Sequence, residues 1–268
     1  MADRKEKAFE YVPLMPRSEK PRDRGITQVR DIKGRGLAEM EDICQTAGEY
    51  IDVYKMACAT QRLLPKEIVK KKIDLCHRYG IEVSTGGFLE RVLLGGPEVV
   101  KRFLGDSKEM GFDIVEISTG VVYLPLADKL NLIQYSKSLG LKPHPEISAS
   151  YGISAEEEVQ VSADLLIQEI ELALKAGAWK ILVEEEGLTE NVKEKRFDVL
   201  GKMASSCEVS KLIFEACEPE VFNWYLHKLG PEVNLHVDAE WVLYIEAIRR
   251  GIWGKSDTWG RAATFSGQ

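Results

Sequence analysis

The chain of 268 residues lacks long apolar runs and has no surplus of positive charge. No segment approaches the roughly 20 apolar residues of a membrane-spanning helix, and the first 24 residues contain no apolar core of signal-peptide length. The formal net charge is −7. Because nucleic acids and anionic membranes bind basic surfaces, this charge argues against both as partners. We therefore expect a soluble, cytoplasmic protein.

Cysteine is also scarce, and its spacing excludes two classes of site. The count is odd, and the five residues show no metal-type spacing: Cys44, Cys58, Cys76, Cys207 and Cys217. A disulfide framework uses an even number of cysteines, and a structural zinc site uses closely spaced pairs. The sequence therefore predicts reduced thiols that pack within or beside the secondary-structure elements.

The sequence does contain a regular alternation of strand-like and helix-like segments, repeated eight times. The strand-like segments are "GITQVRD", "YIDVYKM", "IEVST", "FDIVEIS", "KPHPEIS", "WKILVEE", "KLIFEA" and "EVNLHVD". The helices predicted after them cover residues 37–48, 65–79, 88–110, 126–139, 159–176, 191–205, 219–229 and 239–250. Eight such units in one domain's length predict a single closed (β/α)8 barrel of the TIM type.

Glycines support this interpretation, because a glycine commonly stands between a predicted helix and the next strand. Examples are "YGIEV", "MGFDI", "LGLKP", "AGAWK" and "LGPEV". Such short loops suit right-handed crossovers between parallel strands. We assign residues 25–254 to the barrel, residues 1–24 to an N-terminal arm and residues 255–268 to a short C-terminal tail. An open, doubly wound sheet is the alternative.

Several predicted strands end in a carboxylate. The acids are Glu116 in "FDIVEIS", Glu146 in "HPEIS", Glu184 in "WKILVEEE" and Glu215 in "KLIFEAC". In a barrel the carboxyl ends of all the strands meet on one face, where active sites are built. We therefore expect these four side chains to face a common cleft.

The alternation of side chains along the strands adds further polar groups to the same face. Lys55 ends the second strand in phase with Ile51 and Val53, which places an ammonium at the rim. Two strands also carry a polar face that is expected to line the lumen: Lys142, His144 and Glu146 on one, and Asn234, His236 and Asp238 on the other. A ring of carboxylates with one lysine is typical of a metal and proton-transfer site.

Each of these residues also has a simpler interpretation. A single glutamate at a strand end is usually next to a helix N-cap or solvated, and "EEE" at Glu184–Glu186 fits a solvated charge run. A lone histidine is more often a hydrogen-bonded structural residue than a ligand. The "TGG" of Thr85–Gly87 fits either a phosphate-binding turn of exposed amides or a tight turn that glycine permits.

The order of several short segments resembles one protein family. The segments are "YIDVYKMACAT", "STGGFLE", "GFDIVEIS", "AGAWKILVEEEG", "KLIFEA", "GPEVNLHVD" and "IRRGIWGKSDTWG". In this order they resemble the phosphosulfolactate synthase family, which adds sulfite to phosphoenolpyruvate on a barrel fold with magnesium. The segments "EKPRDRGITQVR" and "LGPEVNLHVD" resemble most the plant heat-stress-associated branch of that family.

This resemblance implies roles for the residues at the rim. Mg²⁺ is the implied cofactor, with Glu146, Glu184 and Glu215 as its ligands. Lys55 is the implied proton donor, with Glu116 as a second catalytic residue. The implied substrate is a small anion, bound by a larger set: Arg30, Thr85, Gly86, Asn234, His236 and Asp238. The same interpretation includes a homo-oligomer.

The chain departs from the archaeal members of this family at two places. It has "SAS" at residues 148–150, where those members carry lysines, and it has Glu185 and Glu186 where an arginine is expected. Cations that would hold an anionic substrate are thus replaced by neutral or acidic residues. A second function therefore stays open: a stress-associated barrel that acts as an interaction or scaffold protein without turnover.

Overall fold

The protein forms a closed barrel of parallel strands surrounded by helices. The computed structural model describes residues 6–149 and 162–254. The eight strands pair in chain order, and the last strand closes the barrel by pairing with the first. The predicted (β/α)8 barrel is confirmed, and the open-sheet alternative is wrong because both edge strands are paired.

The elements alternate along the chain as the periodicity predicts. The strands are β1 Thr27–Arg30, β2 Val53–Lys55, β3 Glu82–Ser84, β4 Ile114–Ile117, β5 Lys142–Ile147, β6 Ile181–Val183, β7 Leu212–Glu215 and β8 Leu235–Asp238. The α-helices in the described residues are α1 Leu37–Ala47, α2 Lys66–Arg78, α3 Phe88–Leu93, α4 Pro97–Met110, α5 Leu126–Ser138, α6 Ala163–Ala176, α7 Phe197–Ser206, α8 Pro219–Leu229 and α9 Val242–Arg249. None of the helices in these two ranges has the length and apolarity required to cross a bilayer.

Two predicted helices differ from the structure. The helix predicted over residues 88–110 is split into α3 and α4, because Gly96 has a φ of 83° and Pro97 starts a new helix. The helix predicted from residue 191 begins only at Phe197, since a bridge between Glu186 and Glu190 holds the preceding loop in a turn. The predicted start of the sixth helix, at residue 159, lies outside the described residues.

The core has two parts because side chains alternate between the two faces of each strand. Outward-facing residues such as Val115, Phe214 and Leu235 pack against the helices. Inward-facing residues form an apolar layer, the barrel floor, near the amino ends of the strands, and Trp179 packs against it: Ile26, Val53, Ile114, Leu182 and Ile213. Between this layer and the carboxyl ends of the strands the lumen is polar, so the barrel floor separates the site from the N-terminal face.

Two buried lysines from the helix layer bind the ends of strands that carry polar rim residues. Lys72 on α2 lies 3.1 Å from Asp31, directly after β1. Lys129 on α5 donates to the carbonyl oxygen of Glu146 at 2.8 Å. Because buried ammonium groups require such partners, these contacts fix helices to the rim.

The described part of the arm, residues 6–24, crosses the N-terminal ends of the strands. Lys20 donates to the carbonyl oxygens of Gly48 and Tyr79, and burial lowers its pKa to about 8. Arg22 pairs with Asp52 at 2.9 Å, and Asp52 also accepts from the backbone N–H of Thr27. The arm is therefore attached to the barrel floor by buried polar contacts.

We expect Arg22→Met to destabilise the protein by about 1–3 kcal/mol, because Asp52 would stay buried without its cationic partner. The matched control is Arg24→Met, since the side chain of Arg24 is 69% exposed and pairs with Glu232 at the surface. This control should change the free energy of unfolding by less than about 0.5 kcal/mol. Urea denaturation measures both, and equal effects would show that the arm is held by other contacts.

Candidate active site

Four carboxylates lie at the carboxyl ends of four consecutive strands. Glu116 is on β4, Glu146 on β5 and Glu215 on β7, and Glu184 follows β6 directly. Glu116, Glu146 and Glu215 are buried, and Glu184 is half-buried. All four stand at positions whose side chains point into the lumen. The structure therefore brings them to one rim, as predicted.

Lys55 at the end of β2 lies within this carboxylate cluster. Its Nζ is 2.9 Å from Oε2 of Glu116. Burial alone would lower the pKa of Lys55, but the charges of Glu116, Glu215 and Glu146 outweigh burial and raise it. Lys55 is therefore an ammonium at neutral pH, and its charge offsets only part of the negative charge of the cluster.

Three acids of the cluster, Glu116, Glu146 and Glu184, hold their protons more strongly than ordinary carboxyl groups. Burial, and then the charges of Glu184 and Glu116, raise the pKa of Glu146 well above its usual value. Burial and the charge of Glu215 raise the pKa of Glu184 to about 7. Burial also raises the pKa of Glu116, against the opposing effect of Lys55. Such a cluster is stabilised by either protons or a cation.

Glu90 on α3 is a site residue that the sequence did not reveal. Its carboxylate accepts the backbone N–H groups of Gly120, Val121 and Val122 at 3.2, 2.6 and 2.8 Å. A Cβ atom on Gly120 would lie 3.8 Å from an oxygen of Glu90, 3.8 Å from one of Glu184 and 3.9 Å from one of Glu146. No sequence signal distinguishes a glutamate within a short helix from the exposed acids around it.

Arg30 at the end of β1 carries the second positive charge of the rim. Its Nε donates to Asp238 at 2.8 Å, and one terminal nitrogen donates to Oε1 of Glu215 at 3.1 Å. Asp238 and Glu215 both stand at positions whose side chains point into the lumen, as predicted. Because Arg30 contacts both, Arg30 and Asp238 lie at the rim, as expected. Glu215 is thereby shared between the carboxylate cluster and Arg30.

The acids after β6 do not form a free anion-repelling surface. Glu185 is buried, and its carboxylate accepts from the hydroxyl of Thr189 and from the backbone N–H of Cys217, both at 3.2 Å. One oxygen of Glu186 accepts from Asn191. Glu185, Glu215 and Cys217 each offer a ligand atom within 4.8 Å of the other two. Burial raises the pKa of the Cys217 thiol, which is therefore protonated.

The prediction that Thr85 and Gly86 bind substrate is corrected, because their polar groups are already used. The Thr85 hydroxyl donates to the Gly86 carbonyl and accepts from the N–H of Glu116, both at 3.2 Å. The Gly86 N–H donates to Oγ of Ser84. Gly86 has a φ of 58°, and a Cβ there would lie 2.4 Å from the carbonyl oxygen of Met56. The "TGG" segment is therefore a tight turn.

The prediction for Asn234 is corrected as well, because this residue precedes β8 at the opposite end of the barrel. Its side-chain oxygen accepts from the N–H of Ile26 at 2.9 Å, and its nitrogen donates to the carbonyls of Ser210 and Leu212. The alternation of side chains along the strand correctly predicted that Asn234 faces the lumen. It could not predict how far this residue lies from the rim. Of the "SAS" segment, Ser150 lies outside the described residues.

Two histidines lie in the lumen below the rim. His144 and His236 are fully buried. Burial, and then the charges of Lys55 and Lys180, lower the pKa of His144 to about 3. Burial, and then the charges of Lys55 and Arg30, hold the pKa of His236 well below its usual range. Both imidazoles are therefore neutral at physiological pH.

Solved structures share this architecture with the chain. The 3-hexulose-6-phosphate synthase of Salmonella typhimurium superimposes with a TM-score of 0.55 at 13% identity, over 82% of this chain and 97% of that one. At such low identity, this similarity concerns the fold alone.

Similarity in sequence extends over nearly the whole chain. It is 31% identical to the phosphosulfolactate synthase of Methanocaldococcus jannaschii, over 89% of this chain and 95% of that protein. It is 28% identical to the protein HEAT-STRESS-ASSOCIATED 32 of Arabidopsis thaliana, over 89% of this chain and 90% of that protein. Residues 15–255 match the family model described as (2R)-phospho-3-sulfolactate synthase. The chain therefore belongs to the phosphosulfolactate synthase family.

Proposed function

We propose that the protein is a magnesium-dependent lyase that adds sulfite to phosphoenolpyruvate or to a related small anion. One observation carries this proposal: four carboxylates with Lys55 among them converge on the rim of the barrel. Family membership supports the reaction class, because relatives named phosphosulfolactate synthase match over most of their length.

The donor set fits Mg²⁺, which prefers oxygen ligands and commonly uses one or two carboxylates. Oε1 of Glu146 and Oε2 of Glu184 are buried and have no hydrogen-bond partner within the described ranges. These two residues would hold the ion. Glu215, the third predicted ligand, already pairs with Arg30. When bound, Mg²⁺ would supply positive charge that stabilises negative charge developing on a substrate carboxylate.

Lys55 fits the role of proton donor in this reaction. The sulfur of sulfite would bond to the methylene carbon of phosphoenolpyruvate, and the electron pair of the carbon–carbon double bond would move to the neighbouring carbon. That carbon then takes a proton. Lys55 carries a proton at neutral pH, and Glu116, at 2.9 Å, orients its ammonium group. Lys55 would then take a proton from solvent.

The excess of negative charge at the rim favours an anionic substrate that binds together with a cation. Arg30 and Lys55 are the cations at the carboxyl ends of the described strands, and both are paired with acids. The acids of the cluster outnumber them, so an anion alone would be repelled. Neutralisation of Glu146 and Glu184 would lower the net negative charge that an anion meets beside Lys55 and Arg30. The alternative function, a scaffold without turnover, does not explain why unpartnered carboxylate oxygens are buried together.

Lys55→Met should leave the barrel folded, because methionine replaces the aliphatic stem. We expect turnover of sulfite and phosphoenolpyruvate to fall by about 10²–10⁴-fold, the usual contribution of a general acid. The matched control is Lys142→Met, since Lys142 lies at the other end of the lumen and pairs with Glu82. A folded Lys55→Met protein with the wild-type rate would remove Lys55 from the mechanism.

Without a metal, Glu184 and Glu185 should lower the free energy of unfolding as the pH rises from about 4.5 through about 7. The pKa values of both are about 7 in the folded state, while unfolded glutamates titrate near 4.5. These acids thus bind more protons in the folded state, and each lowers stability in this window by on the order of 1–3 kcal/mol, whereas the buried neutral rings of His144 and His236 act in the opposite direction. Urea denaturation of the wild type and of Glu184→Gln at a series of pH values isolates the contribution of Glu184, and the variant should gain stability relative to the wild type as the pH rises. A difference between the two proteins that does not change with pH would contradict the raised pKa of Glu184.

Glu146→Gln should weaken Mg²⁺ binding by about tenfold or more, because an amide oxygen replaces a charged ligand. Calorimetric titration with Mg²⁺ measures this directly. Glu186→Gln is the control, since Glu186 is the nearby acid that bonds Asn191 instead of the cluster. Equal affinities in wild type and Glu146→Gln would refute this assignment of the cation site.

A further inference from the structure

The polar groups of the barrel mouth are distributed unevenly around the circle of strands. The four carboxylates of the cluster lie on β4 to β7 or directly after them. Lys55, Arg30 and His236 lie on β2, β1 and β8, which are neighbours in the closed barrel, and the one acid at the rim on these strands, Asp238, pairs with Arg30. A cation bound by Glu146 and Glu184 would therefore leave the side formed by β8, β1 and β2 for an anion.

His236 contributes a neutral polar group to this second side. It pairs with Gln28 across the β1–β8 ladder, and both side chains are fully buried. The side-chain nitrogen of Gln28 lies 3.4 Å from Nδ1 of His236. In this orientation of the amide, the nitrogen donates and Nδ1 accepts the hydrogen bond, and the side-chain oxygen of Gln28 is buried without a partner in the described residues.

This contact determines where the imidazole carries its proton. A neutral histidine has one N–H, so an accepting Nδ1 places the hydrogen on Nε2. The positive charges of Lys55 and Arg30, together with burial, keep the ring neutral. Nε2 is buried and has no hydrogen-bond partner in the described part of the chain. His236 thus offers one unpaired N–H donor inside the lumen.

Such a donor suits an anionic oxygen and not a metal ion. A metal would need the lone pair of Nε2, which the hydrogen occupies in this tautomer. An unpaired buried N–H also discriminates strongly for a ligand that accepts a hydrogen bond. A carboxylate held near Lys55 and Arg30 meets this requirement.

We propose that Gln28 is a positioning residue that fixes the Nε2–H tautomer of His236, and that this N–H donates to the oxygen of the substrate carboxylate that faces the β8–β1–β2 side of the lumen. The identity of that anion rests on the proposed function. The role of Gln28 goes beyond the proposed function, because the side chain of Gln28 touches neither substrate nor metal. It assigns a function to a lumenal residue that no motif indicates.

The test combines a spectroscopic measurement with a binding measurement. Two-dimensional ¹H–¹⁵N spectra that correlate the ring nitrogens with the ring carbon-bound protons identify which nitrogen of His236 is protonated. We expect the proton on Nε2 in the wild type. In Gln28→Glu we expect it on Nδ1, because a carboxylate at position 28 can only accept. Thr27→Val is the control, since it changes the adjacent residue of β1 on the other face.

The binding measurement is titration with phosphoenolpyruvate in the presence of Mg²⁺. Affinity should fall by about tenfold or more in Gln28→Glu and should stay unchanged in Thr27→Val. If Gln28→Glu does not fold, Gln28→Met replaces it in both measurements, because methionine removes the hydrogen-bond donor without adding charge. We expect Gln28→Met to show both tautomers of His236 and weaker binding of phosphoenolpyruvate.

A wild-type proton on Nδ1, or an unchanged affinity after the tautomer has switched, would overturn the inference. Neither measurement requires turnover. If the wild type binds phosphoenolpyruvate with the expected tautomer but does not react with sulfite, the proposed function fails and this inference stands.

Discussion

Mutual repulsion among buried carboxylates is the constraint on which the site depends. Glu116, Glu146, Glu184 and Glu215 are held together by the convergence of their strands, and burial raises the pKa values of the first three. One ammonium, that of Lys55, lies among them at 2.9 Å from Glu116. Arg30 pairs with Glu215 but also with Asp238, so these two cations cannot neutralise the four acids, and the cluster requires protons or a further cation.

The rest of the barrel makes this arrangement possible. The apolar layer around Val53 and Ile213 closes the lumen below the site, and the arm covers the N-terminal ends of the strands. Lys129 binds the backbone at Glu146 from the helix layer. These contacts supply packing and hydrogen-bond energy that can offset the cost of crowding acids at the opposite face.

Strand order gives the site its polarity. The four carboxylates of the cluster lie on β4 to β7 or directly after them, whereas Arg30, Lys55 and the neutral His236 lie on β1, β2 and β8, where Asp238 is paired with Arg30. A reaction that joins two anions needs a cation near the accumulating charge and hydrogen-bond donors opposite it. The barrel places both within one lumen, and Glu185, after β6, is bonded to Thr189 of the same loop and to the backbone N–H of Cys217 after β7.

The sequence by itself determined the barrel, the four strand-end glutamates and Lys55, because strand periodicity and the convergence of parallel strands are local and topological properties. It also gave the faces of His236 and Asn234. Only the tertiary structure decided the depth of each side chain and its partners. Asn234 lies at the amino end of β8, away from the rim, and Thr85 and Gly86 use their polar groups in a turn. Glu90 and Gln28 join the site although nothing in the sequence assigned them a role. The physical reason is that a side chain's hydrogen-bond partners come from distant strands and loops, and their positions are fixed only when the barrel closes.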